Sequence, residues 1–167
     1  IVNGDWILKK VTPSNLFMHN LGDLKFIDKA REFGLEDYLI VTSSAAADFD
    51  NDGDIDEIAQ SVNGPVIAYW NNSQTGSSIA FEFRDFVGNR YGVANKVRIT
   101  YGEKEALHQL RELTLSGGYG SYDAPVLHFG LGATEQVNNI EIQWSTGETT
   151  QHKGPFKAGA TYRIERH

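Results

Sequence analysis

Apolar residues in the second half of the chain fall on alternate positions. Ile79, Phe81 and Phe83 alternate with Ala80, Glu82 and Arg84; Val97, Ile99 and Tyr101 alternate with Lys96, Arg98 and Thr100. Ile140, Ile142 and Trp144 do the same with Glu141 and Gln143, and Tyr162 and Ile164 repeat the pattern near the end. A period of two puts one face of a strand in the core and the other in water, which predicts an antiparallel sandwich or barrel. Ser145-Thr146-Gly147-Glu148 supplies hairpin-turn chemistry between two such strands. The first half is patterned more loosely. Strand candidates at residues 15–20 (NLFMHN), 25–30 (KFIDKA), 43–47, 55–62 and 66–70 (VIAYW) are divided by the turns Leu21-Gly22-Asp23 and Asn63-Gly64-Pro65. Residues 31–38 read as a loop with a helical turn. Residues 71–78 (NNSQTGSS) read as a linker, which predicts two domains, 1–75 and 76–167.

Residues 103–115 (EKEALHQLRELTL) break the rhythm. They are rich in helix formers, and Leu107, Leu110 and Thr114 share a helical face. The same stretch also fits a hairpin, turning at residues 102–105 and returning from Leu107 to Leu115.

Composition is that of a globular chain, with 40% hydrophobic and 22% charged residues, and the 17 glycines mark a chain that turns often. Cysteine is absent, so disulfides and cysteine-ligated zinc are ruled out. The net charge is −7, and six of the 22 acids fall between Asp48 and Glu57. Such a density repels phosphate backbones, so no nucleic-acid partner is expected. No apolar run approaches the roughly 20 residues of a membrane-spanning helix. The chain opens on Ile1 without a signal peptide, which reads as a processed protein or part of a longer one.

The acidic run carries the sharpest chemistry. In Asp48-Phe49-Asp50-Asn51-Asp52-Gly53-Asp54-Ile55-Asp56, carboxylates stand at positions 1, 3, 5, 7 and 9 and glycine at 6. Alternate acids on a curling loop can point inward together, and a hard cation such as Ca²⁺ seeks about six to eight oxygens. Asp48, Asp50 and Asp52 are expected to offer side-chain oxygens, Asp54 its backbone carbonyl, and Asp56 the closing carboxylate. Mg²⁺ suits the set less well, because it demands strict octahedral geometry and fewer protein ligands. An EF-hand is excluded: its twelfth position needs a bidentate Glu, and here it is Ala59.

Residues 46–56, from Ala46 through the five aspartates, resemble the calcium loop of FG-GAP/VCBS repeats, the blades of integrin-type β-propellers. The resemblance implies metal roles for Asp48, Asp50, Asp52, Asp54 and Asp56, and a loop joining two adjacent strands of a blade. Residues 15–30 are similar to the phrase that ends one such blade. The second half is similar to the ASPIC/UnbV domain, as in the cartilage acidic protein family. The residues that carry this are 89–97 (NRYGVANKV), 117–121 (GGYGS), 127–132 (LHFGLG) and 140–147 (IEIQWSTG). Tyr91-Gly92-Val93-Ala94 stands where that family often has Gly-Ile-Gly-Ala, and Thr146 where it often has Pro. Its pattern between Val97 and Gly117 is strand–turn–strand, which favours the hairpin for residues 103–115.

The fold class expected is therefore all-β, with partial β-propeller blades followed by an antiparallel sandwich or barrel. The function that goes with it is that of an extracellular or cell-surface, calcium-binding interaction or adhesion module without catalysis. The alternative is a carbohydrate-binding module of a larger glycan-handling protein. A propeller needs several blades and this chain holds about one and a half, so open blade edges invite homo-oligomers. The chain has no G-x-S-x-G elbow, no P-loop and no H-E-x-x-H. Of the tryptophans, Trp6 is a candidate sugar-stacking ring, Trp144 a core residue, and Trp70 part of an interface between the two halves. His128, between Leu127 and Phe129, is expected to be a hydrogen-bonded core or edge histidine. Asn71-Asn72-Ser73 matches a glycosylation sequon.

Overall fold

A computed structural model describes residues 14–62, 64–73 and 76–167. Strands take up 52% of the chain and helix 2%, so the all-β class stands. Two short strands, β1 (Met18–Asn20) and β2 (Phe26–Asp28), form an antiparallel hairpin. Next come β3 (Val41–Ala47), β4 (Asp56–Ser61) and β5 (Val66–Tyr69), an antiparallel three-stranded sheet in the order β3-β4-β5. The acidic run is the connection between β3 and β4, whose last and first residues, Ala47 and Asp56, are register partners.

The rest of the chain builds two sheets around one core. β6 (Ser77–Asp85) is the middle strand of three, between β11 (Val126–Gly132) and β14 (Thr161–Arg166). The second sheet runs β13 (Thr149–Lys157), β12 (Gln136–Gln143), β7 (Lys96–Tyr101), β8 (Leu107–Glu112). A small hairpin, β9 (Ser116–Gly118) with β10 (Ser121–Tyr122), completes the set.

The alternating residues are the core. Phe81, Val97, Ile99, Phe129, Val137, Ile140 and Ile142 are all 0% exposed, and Trp144 closes one end against Phe83, edge to face at 5.9 Å. Ala80 departs from strict alternation, being buried as well. The sheets also approach at their margins. Gln109 of β8 donates to the Gly130 carbonyl of β11 at 2.6 Å, and the Tyr162 hydroxyl of β14 accepts from the Lys157 amide of β13 at 2.8 Å.

Residues 103–115 form no α-helix; a single 3-10 turn at Glu103–Glu105 leads into β8. β8 pairs antiparallel with β7 along its whole length, from Leu107↔Tyr101 to Glu112↔Lys96. The turn between them needs left-handed backbone at Lys104 (φ 53°) and Glu105 (φ 55°). One pairing departs from the antiparallel expectation: β14 runs parallel to β6.

That parallel pair is fastened by charge. Arg166, the last residue of β14, grips the buried Asp85 of β6 in a fork, Nε to Oδ1 at 2.9 Å and Nη2 to Oδ2 at 2.7 Å. The Val87 and Gly88 amides also donate to Asp85 Oδ1. The guanidinium lies 4.3 Å from the Trp144 ring centroid and reaches Thr146 and Glu148 as well. Burial would raise the Asp85 carboxyl, but the Arg166 and amide hydrogen bonds and the Arg166 charge outweigh it, leaving the pKa below the usual carboxylate value. Gly92 (φ 74°) lies so close to this region that a Cβ there would stand 2.7 Å from Phe83.

Asp85→Ala strips a nearly buried guanidinium of its main partner, and should cost about 3 kcal/mol in urea unfolding. Because the native Asp85 pKa is depressed, its contribution is complete above the unfolded value of about 3.9 and fades as pH falls through the native one. The alanine variant should therefore lose less stability than the parent between pH 4 and pH 2, as measured by unfolding at each pH.

Candidate metal centre

The acidic loop is shaped by its own carboxylates. Asp48 Oδ1 accepts from the Asp52 amide (3.1 Å) and Oδ2 from the Gly53 amide (3.1 Å). Asp50 Oδ1 accepts from the Asp52 amide at 3.2 Å. The bend needs left-handed backbone at Asn51 (φ 63°) and at Gly53 (φ 96°), the second of which glycine supplies without strain. Asp56, 2% exposed, holds the loop's exit: Oδ2 accepts from the Phe49 amide at 3.0 Å and Oδ1 from the Asn71 amide at 2.8 Å.

Carboxylate oxygens of Asp48, Asp50 and Asp56 lie within 4.8 Å of one another. The other two predicted residues stand apart from that group. Asp52 accepts from the Asp54 amide at 2.9 Å, and Asp54 turns its carboxylate to the Ser73 hydroxyl at 3.3 Å. Among the described residues none of the five makes an ion pair with Lys, Arg or His. The Asp50 carboxyl is pushed above its ordinary value, by desolvation first and then by the charges of Asp52, Asp56 and Asp48, while the Asp52 amide opposes. Three converging hard oxygens that make no ion pair with a described residue form a donor set that suits a divalent cation with oxygen preference.

The loop is also bonded to segments further along the chain. The Ser78 hydroxyl at the start of β6 donates to the Gly53 carbonyl at 2.8 Å, and the Asn71 amide and Ser73 hydroxyl reach Asp56 and Asp54. β3 is tied to the C-terminal sheets as well: Asp123 Oδ1 accepts from the Ala46 amide at 2.9 Å.

The other singled-out residues are dispersed. Trp144 is in the core, 3% exposed, and its Nε1 donates to Thr150. Trp70 is 53% exposed, so the expected burial between the two halves is not found. Trp6 lies outside the described residues. His128 is half-buried, but its Nδ1 is sealed from solvent without any partner, contrary to the hydrogen bond expected. The most exposed large rings are Tyr119 and Tyr122, on and beside the β9–β10 hairpin.

An all-β chain with two sheets around one core is the class that this geometry defines. Residues 87–167 match the family described as ASPIC and UnbV. The match starts after β6, although β6 is the central strand of its sheet. Curated proteins give no match to the chain.

Asp56→Ala leaves two amides without acceptors beside a buried carbon and should cost about 2 kcal/mol or more. Asp54→Ala frees only an exposed hydroxyl and should stay within about 0.5 kcal/mol of the parent. Urea unfolding of both variants in chelator, where no divalent cation contributes, measures the contrast.

Proposed function

We propose that the chain is a calcium-binding, non-catalytic interaction module that works outside the cell or on its surface. On this reading residues 46–56 form an FG-GAP/VCBS-type calcium loop, and the C-terminal sheets are the scaffold beside it. The observation that carries the reading is the convergence of Asp48, Asp50 and Asp56 oxygens at a bend between paired strands, with no ion pair to a Lys, Arg or His among the described residues. A bound Ca²⁺ would offset the mutual repulsion of Asp48, Asp52 and Asp56 with Asp50, which adds to desolvation in raising its carboxyl. Asp52 sits in the same bend, and Asp54 can contribute its carbonyl while its side chain holds Ser73.

Calcium on this view is structural. It fixes a loop that is bonded to β6 through Ser78 and to residues 71–73, and so steadies the face presented to a partner. The partner is a protein or matrix ligand met by adhesion. Exposed apolar residues on the margin of the first sheet, Val66 at 59% and Trp70 at 53%, supply contact area of the kind an interface covers. Among the described residues no helix is long and apolar enough to cross a membrane.

Thermal melting with calcium and with chelator tests the reading. At a hundredfold excess over Kd, linkage contributes about 2.7 kcal/mol. For a chain of this size that is a rise of about 5 to 10 °C, at about 2 to 4 °C per kcal/mol. Asp50→Ala should abolish the rise while leaving the melting curve in chelator close to the parent's, and magnesium should give a smaller rise at equal concentration. Identical melting with and without millimolar calcium overturns the proposal.

A further inference from the structure

Beside the acidic loop, and partly walled by it, the structure has a cleft of about 410 Å³ where β3 meets the C-terminal sheets. Ala46, Ala47 and Ile55 form one side; Ala124 and Val126 form much of the other. Its size is in the range of small-molecule sites, and its lining joins aliphatic side chains to a few polar ones, with the His128 imidazole as its one aromatic ring.

Two opposite charges stand in this cleft without partners. Arg111 of β8, the register partner of the buried Val97, lies over the Phe129 ring at 5.5 Å and makes no ion pair with a described residue. Asp123 uses Oδ1 to accept the Ala46 amide and makes no ion pair with a described residue, which leaves Oδ2 for another donor. The two do not pair with each other: their charged atoms are more than 4.0 Å apart. The other charge in the lining, Glu112, is already engaged by Lys96 at 3.6 Å. His128 also borders the cleft, and burial holds its ring below the usual imidazole range, so at neutral pH it adds no charge.

A guest that carried only an anion would face Asp123 uncompensated, and one that carried only a cation would face Arg111. A neutral sugar would leave both charges unmatched. The complement of a separated guanidinium and carboxylate above an aliphatic wall is a zwitterion with a hydrocarbon side chain. We propose that this cleft binds a free aliphatic α-amino acid, with its carboxylate on Arg111, its ammonium on Asp123 Oδ2, and its side chain against Ile55 and Val126. The carboxylate finds a fork of donors in the guanidinium, and the displaced water strengthens both ion pairs.

Ala46, Ala47 and Ile55 belong to the proposed calcium-loop segment but offer no side-chain oxygen to a cation, so the titration is run both in calcium and in chelator, with leucine expected to bind in both. Calorimetric titration of the whole chain with L-leucine should give a Kd of about 1 mM or tighter. N-acetyl-leucine, which lacks the ammonium, and leucinamide, which lacks the carboxylate, should each bind at least about tenfold more weakly. Arg111→Gln should lose leucine to the same extent and no longer distinguish leucine from leucinamide. Asp123→Asn keeps an oxygen for the Ala46 amide, so it should melt as the parent does, yet no longer distinguish leucine from N-acetyl-leucine. The analogue series uses the unaltered chain, so it stands even if a variant misfolds. Absence of leucine binding, equal binding of N-acetyl-leucine or leucinamide, or displacement of leucine by methyl galactoside overturns the proposal.

Discussion

Asp56 is a buried carboxylate with both oxygens committed, one to the amide of Phe49 within the acidic loop and one to the amide of Asn71 after β5. A charge taken out of water is costly unless its hydrogen bonds are made and its field is balanced. The hydrogen bonds are made here, by backbone groups on either side of β4 and β5. Asp56 therefore fixes three things together: the entry to the loop, the start of β4 and the path of the connection toward β6. The placement of Asp48 and Asp50 depends on it, because the amide that Asp56 holds lies between them in the chain.

The C-terminal sheets depend on a different kind of order. Their core is supplied by alternation in β6, β7, β11 and β12, and burial of that many branched and aromatic side chains is the main source of their stability. The Asp85–Arg166 fork adds little net energy to such a core, yet it aligns β14 beside β6, because any other register would strand a guanidinium against Trp144.

The parts of this arrangement that rest on local chemistry were legible in the sequence. Alternation marked β6, β7 and β12, and the spacing of five aspartates about Gly53 marked the loop before its shape was known. Residues 107–112 were not legible from propensity, since EALHQLRE favours helix and the turn that starts β8 relies on left-handed Lys104 and Glu105, for which no glycine or asparagine gave a signal. Family resemblance gave the right pairing there. The parallel β14–β6 ladder joins residues about 80 positions apart, and nothing near either strand announces it. Which of the five aspartates converge was equally hidden. Local and distant partners both enter: Asp52 accepts from the Asp54 amide within the loop, whereas Asp54 accepts from the Ser73 hydroxyl beyond it. Arg111 and Asp123 come together only through the fold, each unremarkable in its own segment.

The two parts of the chain differ in how they are held. Between Ser14 and Ser73 the buried hydrophobic residues among those described are Ala30 and Ala59, whereas every member of the large core lies at Ile79 or beyond. Two alanine side chains cannot offset the ordering entropy of some sixty residues. The first sheet must therefore draw its stability from its ladders, from the carboxylate-held loop, and from its bonds to the larger part: Asp123 to Ala46, and Ser78 to Gly53. Where a core is this small, a loop that closes two of three strands carries an outsized share of the local stability. A change of one or two kcal/mol in that loop is then enough to decide whether the sheet stays ordered beside its neighbour.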